Sequence, residues 1–291
     1  MNDARLERLQ TILRDYQSCV VAYSGGVDSV LLARVAHDVL GDRALAAIAD
    51  SASLPRKELE EALALGRQFG FPVRVVKTQE FNNTDYLANP TNRCYFCKHE
   101  LFTELEPLAA GEGFKVIAYG ENASDVGDHR PGAQAAKEFQ VRAPLKEAGL
   151  SKTDIRELSA LLGLPTADKP QMACLSSRIP YGEKVSPEKL SMIERAELVL
   201  RELGFHDVRV RHHELGAANA GLPPQQDRPL KLHLARIELG AAELPKLIAE
   251  ERFQKVAAEL RKVGYHHITL DLEGYRRGSL NEAVKDLSLA K

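Results

Sequence analysis

Three stretches of the chain carry residue types whose spacing can do chemistry. The first is Ser24-Gly25-Gly26-Val27-Asp28-Ser29, which follows the apolar run Cys19-Val20-Val21-Ala22. Two glycines let the backbone come close to an anion, and the serines add hydroxyl donors. A helix starting there would turn N–H groups and partial positive charge toward a phosphate. Asp28 would repel a bare phosphate, so it points to a divalent cation or a hydrogen-bonded turn. The lysine of a Walker A loop is absent, which argues against transfer of a terminal phosphoryl group. The second stretch is Cys94-x-x-Cys97, to which the distant Cys174 adds a third thiol. In a reducing compartment such cysteines bind metal, relay sulfur as persulfide or disulfide, or are plainly buried. Three thiolates suit a 4Fe-4S cluster with one iron lacking a cysteine, and the same three with His99 suit structural zinc. The third stretch is Arg209-x-Arg211. On a strand the two share a face and can grip a phosphate there.

These groups need elements that bring strand ends together. Strands are expected at 19–24, 44–50, 72–78 and 114–120, with helices at 28–41, 53–70 and 93–110 between them. Ser53 is the expected cap of the second helix and Pro55 lies near its first turn. Continuous apolar strands alternating with helices predict a parallel sheet covered on both faces, with ligands at the carboxyl ends of its strands. Ser24, Asp50 and Gly120 each follow a strand and should share one rim. The loop after the last strand adds Glu121, Asn122, Asp125 and Arg130, read as nucleotide, Mg2+ and phosphate contacts. Cys19, inside the first strand, reads as core packing. Ser151 and Asp154 mark the start of another helix at 151–165. The Pro-, Gly- and Ser-rich stretch 166–187 reads as a hinge and a functional loop, with Arg178 four residues after Cys174. Beyond it a helix, Gly-aromatic turn and strand recur weakly. The fold class is therefore α/β: a parallel-sheet domain over 1–168 and a smaller α+β domain over 169–291. Glu238 is a further candidate carboxylate there, and His212 and His213 read as rim residues.

The whole chain has 291 residues, 44% hydrophobic and 27% charged, as befits a globular protein with a real core. Lys plus Arg number 39 against 41 Asp plus Glu, a net charge of −2. That balance disfavours a protein living on non-specific nucleic-acid binding, which carries a basic excess. The charged start MNDARLERLQ lacks a secretory apolar segment, and no stretch has the length of a membrane-spanning helix. The expectation is a cytoplasmic protein with neither membrane nor nucleic acid as partner.

The string at 24–29, set between strand and helix, resembles the SGGxDS pyrophosphate loop of the ATP pyrophosphatase (PP-loop) superfamily, whose fold is adenine nucleotide alpha hydrolase-like. The resemblance implies cleavage between the α and β phosphates of ATP with Mg2+, AMP passing to a substrate oxygen and pyrophosphate leaving. GENASDVGDHRPG, ACLSSRIPYG, RVRHH and DLEGYRRGSLN together resemble the LarE family of ATP-dependent sulfur transferases over nearly the whole chain. That resemblance implies adenylation of the carboxylates of pyridinium-3,5-biscarboxylic acid mononucleotide and their conversion to thiocarboxylates, for the nickel-pincer nucleotide cofactor of lactate racemase. One branch of the family gives up the sulfur of a cysteine matching Cys174. The branch with three cysteines is implied to use a 4Fe-4S cluster, here on Cys94, Cys97 and Cys174, fed by a sulfide or persulfide donor. Ser24, Gly25, Gly26, Asp28, Ser29, Asp50, Gly120, Asn122, Asp125 and Arg130 are then the expected nucleotide contacts. Cys174, Asp28 and Arg178 are the expected catalytic residues, and Glu197, Arg209 and Arg211 the expected pocket for the substrate's phosphate. The C-terminal domain is expected to bind substrate and to support a homo-oligomer. Other readings of the same loop are tRNA thiolation, NAD-synthetase-like amide formation with structural cysteines, and a zinc-bound nucleotide-sensing scaffold.

Overall fold

The computed structural model describes residues 3–125, 131–170, 173–216, 232–249 and 252–276. The chain divides into two units, Met1–Tyr86 with Asn92–Ala173, and Leu87–Thr91 with Cys174–Lys291.

The first unit runs α1 (Ala4–Tyr16), β1 (Cys19–Tyr23), α2 (Val27–Leu40), β2 (Ala44–Asp50), α3 (Arg56–Phe69), β3 (Val73–Lys77), the single turn α4 (Thr84–Leu87), α5 (Arg93–Glu112), β4 (Val116–Tyr119), α6 (Pro131–Glu138), α7 (Pro144–Glu147) and α8 (Lys152–Leu161). The four strands form one parallel sheet in the order β3-β2-β1-β4. Period-two alternation sends Cys19, Val21 and Tyr23 to a core shared with α1, α2 and α8. Val20 goes to the opposite core, with Phe102 and Leu105 of α5. The chain winds from β1 to β2 on one side and reaches β4 on the other. The β1/β4 crevice is therefore the switch point, where ligands of such sheets bind. The loops after β1 and β4, which hold the glycine string and Asn122, border it.

Helix α1 went unread in the sequence, although Asp3 caps it by accepting from the Arg5 N–H, and Leu9, Leu13 and Tyr16 bury its inner face. The Ser151–Asp154 capping box forms as expected. Ser53 does not cap α3. That helix starts after Pro55 with no side-chain cap, because Ser53 is buried and hydrogen-bonded to Ser51, which itself donates to the buried Glu80.

In the second unit Ser186 caps α9 (Pro187–Glu202), with Pro187 opening the helix. β5 (Val208–Leu215) pairs antiparallel with β6 (Leu232–Leu239), and β6 pairs parallel with β7 (His267–Leu270). α10 (Leu244–Ala249) and α11 (Arg252–Val263) complete it. The core joins Ala196 and Leu200 of α9, Val208 and Val210 of β5, and Leu260 of α11. Val208 and Val210 face this core, so alternation sends Arg209 and Arg211 to the other face, with Arg209 opposite Glu238 in the register. His212, expected at the rim, is instead fully buried on the core side with its ring against His233 and Tyr265. Among the described residues no helix is long and apolar enough to cross a membrane.

Candidate functional site

In the first unit the string at 24–29 folds into a closed turn. Gly25 has φ +72°, and a Cβ there would lie 2.9 Å from the Ala62 Cβ, so both conformation and space call for glycine. Gly26 is the N-cap of α2. The Ser29 hydroxyl donates to the Gly26 carbonyl (3.1 Å) and accepts from the Ser24 N–H (3.1 Å), which fixes the loop's opening. The first N–H groups of a helix have no partner inside it, so the start of α2 offers donors to an anion.

Asp28 sits in the first turn of α2. Its carboxylate accepts from the Asn122 side-chain amide (3.1 Å) and from the Lys152 ammonium (2.5 Å). Asn122 is 2% exposed, and its backbone N–H donates to Asp125 (3.2 Å). Asp28, Asn122 and Asp125 are thus brought together as expected from their rim positions. Gly120 lets β4 approach them: a Cβ there would lie 3.1 Å from both the Asp28 Cβ and the Ser29 nitrogen. Asp50 ends β2 on the same rim, but its carboxylate is paired with Arg56. Arg130 lies outside the described residues.

Two lysines escaped the sequence reading. Lys152 opens α8, where a cation opposes the helix dipole and the Asp28 carboxylate offsets it. Lys98 follows Cys97 on α5 and lines a cavity of about 200 Å³ together with Ser24, Asp28, Ser29, Tyr119 and Glu121. Glu121 accepts from Lys146 (2.8 Å) and from the Tyr119 hydroxyl. Burial pushes the Glu121 carboxyl up, but those two hydrogen bonds outweigh it and hold the group below the usual glutamate value.

The Cys94-x-x-Cys97 pair occupies the first turns of α5, with Cys94 exposed and Cys97 half-buried. Lys98 belongs to the same helix, so the cysteine-bearing end of α5 borders the cavity under the glycine loop. His99 packs its ring against Phe139 at 4.9 Å. Cys19 is fully buried, as expected of a core residue, and burial pushes its thiol up to about 12. Among the described residues no group of three or more His, Cys, Asp or Glu side chains is arranged to hold a metal.

In the second unit Cys174, half-buried, is the N-cap of a 3-10 turn, Leu175–Arg178. Arg178 is fully buried. It donates to both oxygens of Glu197 (2.8 and 3.2 Å), to the Cys174 carbonyl (3.0 Å) and to the Ser177 hydroxyl (3.1 Å). Glu197, 1% exposed, also accepts from Arg201 (3.1 Å) and from the Val210 N–H (3.2 Å). Burial opposes the charge on both partners, and their mutual attraction outweighs it: Arg178 is raised and Glu197 lowered. Arg211 donates to Glu238 (2.9 Å) and to the Ser177 carbonyl (2.8 Å). Arg236 pairs with Glu238 (3.4 Å) and Asp271. Arg209 donates to the Val208 carbonyl (2.7 Å) and lies 4.7 Å from the Tyr275 ring centroid. Burial and then the neighbouring Arg178 lower the Arg209 guanidinium, marking a crowded cationic spot. Among the described residues of this group five guanidiniums gather about three carboxylates, a cationic cluster of the kind that grips a phosphate.

Comparison with known proteins was made on this basis. A family described as NAD synthase matches residues 7–90. The chain is 43% identical to an uncharacterised protein of Synechocystis sp., over 98% of this chain and 99% of the relative. It is 33% identical to pyridinium-3,5-bisthiocarboxylic acid mononucleotide synthase of Lactiplantibacillus plantarum, over 97% of this chain and 95% of that protein. It is 28% identical to the glutamine-hydrolysing GMP synthase of Thermomicrobium roseum, over 63% of this chain and 39% of that protein.

Proposed function

The chain belongs to the LarE family of ATP-dependent sulfur transferases, and from that premise we propose that it thiolates the carboxylates of pyridinium-3,5-biscarboxylic acid mononucleotide. The observation that carries this reading is the near full-length likeness to the L. plantarum synthase. A glycine loop suited to ATP and a cysteine loop beside clustered guanidiniums agree with it. ATP lies along Ser24–Ser29, its phosphates meeting the α2 N–H groups, and Asp28 and Asp125 would hold the Mg2+ that offsets phosphate charge. A substrate carboxylate oxygen attacks the α-phosphorus. The new O–P bond forms as the α–β bridging P–O bond breaks, and its electron pair leaves on pyrophosphate. A sulfur nucleophile then adds to the acyl carbon, and the C–O bond to AMP breaks to leave a thiocarboxylate.

The contacts support the following roles in this reading. Arg209 and Arg211 grip the substrate's own phosphate. Glu197, a buried carboxylate, serves them indirectly by holding Arg178 and Arg201. Arg178, bound to the Cys174 carbonyl, sets the sulfur-bearing loop. Cys94, Cys97 and Cys174 would hold the 4Fe-4S cluster. The donor set supports this: the pair stands one helical turn apart with Cys94 open to solvent, and thiolates are the ligands such clusters take. When bound, a cluster held by three thiolates leaves one iron to carry an exogenous sulfide from the donor.

The test is anaerobic purification followed by iron analysis and turnover. Incubation with ATP, Mg2+, substrate and sulfide is expected to release pyrophosphate and AMP and to yield thiocarboxylate by mass spectrometry. Amide formation, or pyrophosphate release that no pyridinium substrate stimulates, overturns the reading. Colourless zinc protein that still thiolates overturns the cluster alone.

A further inference from the structure

Adenylation joins two anions, a carboxylate and an α-phosphate. The cavity under the glycine loop already presents two carboxylates, Asp28 and Glu121. From outside the lining Lys152 meets Asp28 and Lys146 meets Glu121, and Lys98 within it adds its attraction to Glu121. Among the described residues that line the cavity, Lys98 is the one cation. Its Nζ stands 4.5 Å from the Tyr119 ring centroid. Its stem is held from behind, since a Cβ on Gly132 of α6 would come within 2.6 Å of the Lys98 Cδ. The ammonium is therefore presented by two packed helices and an aromatic face, and it shares its cavity with Ser24 and Ser29 of the phosphate loop. A preorganised cation at the place where anionic charge concentrates needs no rearrangement when the reaction begins.

We propose that Lys98 is a catalytic residue of the adenylation step, its ammonium meeting the α-phosphate oxygens as the carboxylate attacks. Lys98 keeps its proton throughout; it supplies charge, in place of the lysine the glycine loop lacks. This assignment rests on the reading that ATP occupies Ser24–Ser29. It also gives α5 a second task, because the helix that carries Cys94 and Cys97 then touches the acyl-adenylate through the very next side chain.

The test is substrate-dependent exchange of labelled pyrophosphate into ATP by the full chain, compared among wild type, Lys98→Gln, Lys98→Met and Lys98→Arg. The Gln and Met variants, the latter keeping the stem against Gly132, are expected to lose about a hundredfold or more in kcat. Their KM for ATP should move by less than about tenfold, with melting temperature unchanged. Lys98→Arg is expected to recover most of the rate. Wild-type exchange rates in Lys98→Gln and Lys98→Met overturn the assignment while leaving adenylation standing. So does an Arg variant no better than Gln, which removes the role of charge. Absence of exchange in the wild type overturns both.

Discussion

Around Asp28 the ionisable side chains stand partly in water, with Asp28 22% and its partner Lys152 31% exposed. Around Arg178 the same kinds of group are sealed, with Arg178 at 0% and Glu197 at 1%. The first region offers an anion mainly backbone, shaped by Gly25 and Gly26, and its side chains can exchange partners with solvent and ions. In the second, each charge is the solvent of another. Buried ions are costly to strand, because the lost partner is not replaced by water. One region can therefore lose a carboxylate and keep its fold, and the other cannot. The largest expected effect tests this directly. Glu197→Ala should cost about 3–5 kcal/mol, read as a shift in denaturant midpoint, since it leaves Arg178 buried without its carboxylate. Asp28→Ala should change stability by less than about 1 kcal/mol and yet abolish pyrophosphate release. Similar stability losses in the two variants would erase the distinction.

Acid sharpens the same contrast. Burial, with His233 and Lys189 adding repulsion, lowers His212 to about 3. Its Nδ1 lies 3.2 Å from the Tyr265 hydroxyl, and among the described residues its buried Nε2 has no hydrogen-bond partner, so a proton there would meet no acceptor among them. The folded value lies below the ordinary 6.5, so this contribution is fully present above pH 6.5 and is lost as pH falls toward 3. Each pH unit in that window removes about 1.4 kcal/mol. Amide exchange at β5 and β6, corrected for intrinsic rate, should lose protection between pH 6.5 and 5 while β1 and β2 hold. His212→Gln should flatten the dependence. Equal loss in both sheets would place the acid sensitivity elsewhere.

The two regions also differed in how far the sequence revealed them. The loop at 24–29 is written locally, in two glycines between an apolar run and a helix, so its place at the switch point of a parallel sheet could be read directly. Lys98 and Lys152 could not, because a lysine on a helix looks like a solvated one until the fold supplies Asp28 and Glu121 as neighbours. Ser53 misled for the converse reason: it has the chemistry of a cap, but its hydroxyl is taken by Ser51, which Glu80 from the chain after β3 holds in place. In the second unit the shared face of Arg209 and Arg211 follows from strand periodicity. Which carboxylate holds which guanidinium depends on the β5–β6 register and on α9, and those are set by tertiary packing. His212 shows the limit of periodicity: alternation gives its face, but only the sheet's packing tells that the face is the core.

The smallest effect concerns Tyr275, a half-buried ring beside Arg209 in the sealed region. Gly274 has φ +69°, and a Cβ there would lie 2.7 Å from the Leu239 carbonyl oxygen, so glycine lets this segment lie flush on β6. The Tyr275 N–H donates to the same carbonyl (2.8 Å), and its ring stands 4.7 Å from the Arg209 guanidinium. The ring stabilises and orients a cation that Arg178 crowds from elsewhere, without competing for its N–H donors. Such a contact is worth about 1 kcal/mol, roughly fivefold in affinity. Tyr275→Leu should therefore raise KM for the phosphate-bearing substrate about fivefold with kcat little changed. Tyr275→Phe, which keeps the ring face, should stay near wild type, and binding of the dephosphorylated substrate should respond to neither change. If Phe fails as Leu does, the hydroxyl is what matters. Arg209 would then be held by hydrogen bonding like its buried neighbours, not by an aromatic face.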